Sequence, residues 1–128
     1  MFTVALAQLK PIRRNVTKNI NIVRNLLSGL QADLIVLPEL VNTGYLYSSR
    51  EVLFPYAEAS DGRGEFLSAL QTIAKSTNGV IVSGYAEKFQ DRVFNSAAAV
   101  SGDGVIANYR KIHLYADEKD LFEPGNLG

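Results

Sequence analysis

Cysteine and tryptophan are missing from the 128 residues, and histidine occurs once. The lack of cysteine excludes disulfides, thiolate metal ligands and a cysteine nucleophile within this stretch. His113 has no carboxylate or thiol at ligand spacing, so it makes no case for a metal and a structural or supporting role is expected. An excess of one charge is also lacking, since Lys plus Arg and Asp plus Glu both number 13 and the formal net charge is zero. The densest basic clusters, Arg13-Arg14 and Arg110-Lys111, are too short for a nucleic-acid footprint, and no polyanionic partner is implied. No run approaches the ~18 uninterrupted apolar residues of a membrane span. The apolar start, Met1 to Leu9, has no positive region before it, so neither a secretory leader nor a membrane partner is expected, and the cytoplasm is the default location. The glycine-rich turns match neither a P-loop nor a dinucleotide fingerprint.

What is present is an ordinary globular mix, 47% hydrophobic and 20% charged. A chain of this length suits one domain and can bury roughly two thirds of its unfolded surface. Phe2 to Leu9 is a short apolar run closed by Lys10-Pro11, which predicts a buried strand. Asn15 or Thr17 can cap a helix whose apolar positions Ile20, Val23, Leu27 and Leu30 share one face, ending near Gly29 to Gln31. Leu34 to Leu37 then reads as a parallel second strand stopped by Pro38.

Leu40 to Arg63 reads as a long loop with a short helical stretch near Glu51, the kind of connection that commonly carries function. Phe66, Leu67, Leu70, Ile73 and Ala74 predict a helix over Glu65 to Lys75, stopped by Asn78-Gly79. Val80 to Glu87, Val93 to Val100 and Val105 to Tyr109 predict an antiparallel meander, and the tail from Ile112 to Gly128 contains no strand. With no repeat, linker or low-complexity tract, these elements make one α/β unit with a mixed sheet, helices on one face and the other face uncovered.

Three charged residues could do chemistry. Glu39 follows Pro38 at the carboxyl end of the second strand, where α/β proteins bind ligands and where a carboxylate can serve as a general base. Lys111 follows the last strand, and an ammonium beside a carboxylate can stabilise an oxyanion. Glu118 lies in Asp117-Glu118-Lys119-Asp120, which by composition is an exposed charged turn. Taken singly, each is more commonly a solvated surface charge.

Leu37-Pro38-Glu39-Leu40, with Gly44-Tyr45 shortly after, resembles the first signature of the nitrilase (carbon-nitrogen hydrolase) superfamily, and Tyr109-Arg110-Lys111-Ile112-His113-Leu114 resembles the second. Between them, Gly84-Tyr85-Ala86-Glu87 and Phe94-Asn95-Ser96-Ala97 are similar to the family's strand pair. Glu118 to Gly125 is similar to a segment of the amidase and carbamoylase branches.

The resemblance implies Glu39 as general base, Lys111 as support for the tetrahedral intermediate, and Glu118 as a second carboxylate holding substrate and lysine. It implies the N-terminal half of an α-β-β-α sandwich, residues 1–128 being one hydrolase domain cut before the strand that carries the family's nucleophilic cysteine. Substrates would be small amides, carbamoyl compounds or nitriles, with Tyr45 and Tyr47 in the loop that lines the pocket. No cofactor or metal is expected. The fragment alone would not turn over and would self-associate or need its other half, and the whole protein would be a homo-oligomer. The competing expectation is a non-catalytic subunit that binds a small metabolite or joins a full-length relative.

Overall fold

The computed structural model describes residues 1–127. Five strands form one sheet in the order β1-β2-β3-β4-β5, which is also their chain order. β1 (Val4–Leu6), β2 (Leu34–Val36) and β3 (Val80–Phe89) run parallel. β4 (Arg92–Ser101) and β5 (Gly104–Arg110) complete the sheet as an antiparallel meander. Helix α1 (Val16–Leu26) connects β1 to β2, and α3 (Glu65–Thr77) leads into β3. The parallel crossovers and the antiparallel meander match the expected mixed sheet.

Local chemistry explains the element ends. The Asn15 side chain accepts from the Lys18 backbone N–H and so satisfies an otherwise unpaired donor at the start of α1. Asn78 closes α3 in the left-handed conformation that Asn tolerates, with φ of 53°. The start of α3 is capped from a distance: the Glu58 carboxylate accepts from the backbone N–H groups of Phe66 and Leu67 at 2.9 and 2.7 Å. β1 is shorter than the run Phe2 to Leu9 predicts. It lies at the sheet edge with β2 as its one neighbour, and Pro11 can donate no ladder hydrogen bond.

Alternation along the strands divides the side chains between two faces. Ile35, Ile81, Tyr85, Ala98 and Val100 pack with Ile20 and Val23 of α1 and Phe66, Leu67 and Leu70 of α3 in the main core. Fully burying side chains such as Phe66 or Leu70 contributes about 2 kcal/mol each. Val4 and Leu6 alternate with Ala5 and stay 51% and 81% exposed, so this part of the sheet carries apolar residues without a covering layer. At the carboxyl end of β2 and β3, a smaller cluster of Leu40, Leu53, Ala86, Val93 and Phe122 anchors the loop after Glu39, including helix α2 (Arg50–Leu53). The tail contains a four-residue helix, α4 (Glu118–Leu121), and no strand among the described residues. No helix among them is long and apolar enough to cross a membrane.

Candidate active site

Glu39 is placed by backbone as much as by its neighbours in sequence. Beyond β2 the chain turns sharply: Leu40, which is not glycine, adopts φ of +48°, a left-handed conformation costing on the order of 1 kcal/mol. The turn is held because Gly84 N–H donates to the Pro38 carbonyl at 2.9 Å and Val41 N–H donates to the Gly84 carbonyl at 3.0 Å. A Cβ on Gly84 would sit 2.5 Å from Glu39 Cα, so only glycine lets β3 approach this closely. Gly84→Ala should therefore cost about 1–3 kcal/mol of stability and displace Glu39. A denaturant midpoint and a crystal structure of the variant would check both, and a variant equal to the parent in each would refute the constraint.

The loop beyond is fastened by buried asparagines. Asn42 accepts from Ala86 N–H at 2.8 Å and donates to the Ala86 carbonyl at 3.2 Å, pairing the loop with β3 much as another strand would. Asn19 of α1 donates to the Asn42 carbonyl at 3.1 Å. Gly44, with φ of +70°, passes so near the Arg13 backbone that a Cβ would lie 3.0 Å from it. The chain then brings Tyr45 back towards Glu39, and its hydroxyl donates to Glu39 Oε2 at 3.2 Å. Burial, and then the adjacent Glu39 carboxylate, push the Tyr45 hydroxyl up to about 12, so it stays protonated and acts as a donor near neutrality.

Lys111 follows β5 directly. Its backbone N–H donates to the Asn95 carbonyl at 2.8 Å, and its carbonyl accepts from Gly125 N–H at 2.9 Å. Its ammonium lies 3.1 Å from Glu39 Oε1 and 2.9 Å from Glu118 Oε2. Burial works against the ammonium, but hydrogen bonds to Glu118 and Glu39 outweigh it and the Lys111 pKa is raised. Glu118 also accepts from Tyr115 N–H at 2.7 Å. Burial pushes its carboxyl up, but the Tyr115, Lys111 and Asn95 hydrogen bonds prevail and lower it. The charged forms of Lys111 and Glu118 are thus favoured, and the Glu39 carboxylate lies 3.1 Å from the same ammonium.

The cluster borders an open cleft of about 340 Å³ whose lining includes Val82, Ala97 and Tyr109 with Glu39, Asn95 and Lys111. The structure brings Glu39, Lys111, Glu118 and Tyr45 together, four residues that the sequence spreads from position 39 to 118. Tyr47 instead turns inward, its hydroxyl donating to the Thr43 carbonyl at 2.7 Å. His113 is exposed. Among the described residues, no group of three or more His, Cys, Asp or Glu side chains is placed to hold a metal ion.

Two features escaped the sequence reading. Asn95 of β4 donates to both Glu39 and Glu118; in sequence it stood within Phe94-Asn95-Ser96-Ala97, a family-like stretch, with no role attached to it. Arg110, read only as one member of a short basic cluster, is buried and bonded to the fully buried Glu87. The same carboxylate accepts from Ser96 at 2.7 Å and Asn108 at 2.9 Å, and the Arg110 guanidinium lies 4.0 Å from the Phe94 ring centroid.

A mixed α/β sheet with a carboxylate-bound lysine at its strand ends defines an enzyme-like scaffold, and comparison with known proteins gives it a family. The chain belongs to the carbon-nitrogen hydrolase family, whose model matches residues 3–127. It is 42% identical over 131 residues to a nitrilase of Pyrococcus abyssi, the match covering 100% of this chain and 50% of that protein. An (R)-stereoselective amidase of a Pseudomonas species is 33% identical over 94 residues, covering 73% of this chain and 33% of that one. The crystal structure of an N-terminal amidase superposes with a TM-score of 0.86 at 28% identity, covering 96% of this chain and 31% of that one. A carbon-nitrogen hydrolase from Helicobacter pylori gives a TM-score of 0.83 at 25% identity over 99% of this chain and 46% of that one. The fold is therefore that of the nitrilase superfamily. The chain spans about half the length of the Pyrococcus relative.

Proposed function

We propose that this chain is the base-and-lysine half of an enzyme that hydrolyses a small amide or carbamoyl substrate, with Glu39, Lys111 and Glu118 as its acid–base and electrostatic machinery. The observation that carries this reading is the Lys111 ammonium lying within 3.1 Å of carboxylate oxygens of both Glu39 and Glu118 beside an open cleft. The nucleophile is a cysteine from a segment that these 128 residues, with no cysteine of their own, do not include. The apolar sheet face around Val4 and Leu6 is where that half completes the sandwich.

In the assembled site Glu39 takes the thiol proton and the thiolate adds to the substrate carbonyl carbon. An ammonium has three N–H donors. Two point to Glu39 and Glu118, and the third is available to the developing oxyanion. Collapse of the tetrahedral intermediate breaks the carbon–nitrogen bond, with the proton held by Glu39 passing to the leaving nitrogen. Water then attacks the thioester, Glu39 receives the water proton, and breaking the carbon–sulfur bond releases the acid and restores the thiol. The isolated 128 residues, lacking the nucleophile, do not turn over.

The sequence of relatives favours amides: an amidase from Pseudomonas is among those matched, and the N-terminal amidase was solved with Asn-Glu and Gln-Gly peptides. A second reading, a non-catalytic subunit that binds a small metabolite or assembles with a full-length relative, draws on the missing cysteine. Treating the polypeptide recovered from its source with a thiol-directed electrophile separates the two. One labelled cysteine, with amide hydrolysis lost in proportion to labelling, is expected. An unlabelled 14.0 kDa polypeptide that binds small amides without cleaving them would support the second reading instead.

A further inference from the structure

We infer that Asn95 is a positioning residue that commits one oxygen of Glu39 to the lysine and leaves the other as the basic oxygen. This inference rests on the hydrolase reading and adds the atom-level division of labour between its two carboxylates.

The Asn95 amide has two N–H groups, and both are in use. Nδ2 donates to Glu39 Oε1 at 3.2 Å and to Glu118 Oε1 at 2.9 Å. Lys111 Nζ donates to the same two oxygens, each at 3.1 Å. Two donors and two oxygens therefore close a ring. Each of those oxygens has two lone pairs and both are taken, so neither can accept a further proton without losing a partner.

The remaining two oxygens differ. Glu118 Oε2 accepts from Tyr115 N–H at 2.7 Å and lies 2.9 Å from the Lys111 ammonium, so backbone and charge both hold that oxygen. Glu39 Oε2 accepts only from the Tyr45 hydroxyl among the described residues, which leaves it one lone pair. Among the described residues, Glu39 Oε2 is the cluster oxygen held by neither an ammonium hydrogen bond nor a backbone N–H, which makes it the one freest to take a proton. That difference in partners makes Glu39 the base and Glu118 a fixed counter-charge.

Asn95 is well placed to enforce that division. It is 2% exposed, it is paired through the β3–β4 ladder with Ala86, and its carbonyl holds the Lys111 backbone. Two carboxylates around one ammonium repel each other, and a donor shared between them offsets that repulsion in the ionised state. Without the amide, Glu39 is held only by Lys111 at Oε1 and Tyr45 at Oε2, and the choice of oxygen facing the lysine is less strictly enforced.

The test uses the complete cysteine-containing polypeptide with Asn95→Ser, which removes both amide N–H donors and leaves a single shorter hydroxyl, and the isosteric Asn95→Asp, which replaces them with acceptors. For Asn95→Ser, the acid limb of the kcat/KM profile on an amide substrate should move to higher pH by roughly one unit. kcat/KM at the optimum should fall on the order of 10²-fold, mostly in kcat. Asn95→Asp should shift the limb further, because it adds a third carboxylate. Carbon-13 NMR titration of the Glu118 carboxyl should follow the same upward order. Variants that melt like the parent yet keep its acid limb and its Glu118 titration would overturn the assignment. If the parent cleaves no amide, the hydrolase reading fails by itself, and the Glu118 titration still decides the role of Asn95.

Discussion

Glu39→Gln in the complete polypeptide should lower kcat/KM for an amide on the order of 10³-fold while leaving the fold intact. Glutamine preserves the side chain's shape and can still accept from Lys111, but it cannot take a proton from the nucleophile. Labelling of the cysteine by a neutral electrophile should slow in parallel, since that reaction needs the thiolate. Glu118→Gln should cost less, because Glu118 already has both oxygens occupied by Tyr115, Asn95 and Lys111 and passes no proton. A Glu39→Gln variant within tenfold of the parent, or a Glu118→Gln variant more damaged than it, would transfer the base to another residue.

The second large effect concerns stability. Glu87→Leu should lose about 3–5 kcal/mol in urea unfolding, because Arg110 would be left buried beside Phe94 without its counter-charge. Glu87→Leu combined with Arg110→Met should lose distinctly less than Glu87→Leu alone, since no buried charge is then stranded. The pH dependence has a definite sign. Burial opposes the Glu87 charge, but hydrogen bonds from Arg110, Ser96 and Asn108 prevail and hold its carboxyl below the ordinary value of 4.5. Unfolded chains therefore bind the proton first. The stabilisation from Glu87 is fully present above pH 4.5 and is lost as pH falls from there through the depressed folded value. The double variant should lack this part of the acid transition, and an unaltered acid transition in it would remove Glu87 from the account.

These two pairs sit in adjacent positions of β5 and its exit, yet they do different work. Arg110 and Lys111 are neighbours in sequence, and strand alternation sends one to Glu87 within the fold and the other to the cleft. In sequence both looked like a small basic cluster. Glu87 and Asn95 gave no warning either, because a polar residue in an apolar strand reveals its role only once its partner is known. The helices were easier to read: Ile20, Val23, Phe66, Leu67 and Leu70 all entered the core that their spacing implies. The turn residues around Gln90-Asp91 and Ser101 to Gly104 likewise marked the hairpins, and β3, β4 and β5 differ from their expected ends by only a few residues.

By itself the sequence determined the order of elements and the family, and marked Glu39 and Lys111 as candidates, because hydrophobic period, turn chemistry and short signatures are local properties of the chain. Only the tertiary structure decided that Glu118 completes the lysine's ion pairs, that Tyr45 faces Glu39 and that Asn95 ties the two carboxylates together. The physical reason is distance along the chain: hydrogen bonds act over about 3 Å, while Glu39 and Asn95 are 56 residues apart and meet only when β2 pairs with β3 and β3 with β4 in register.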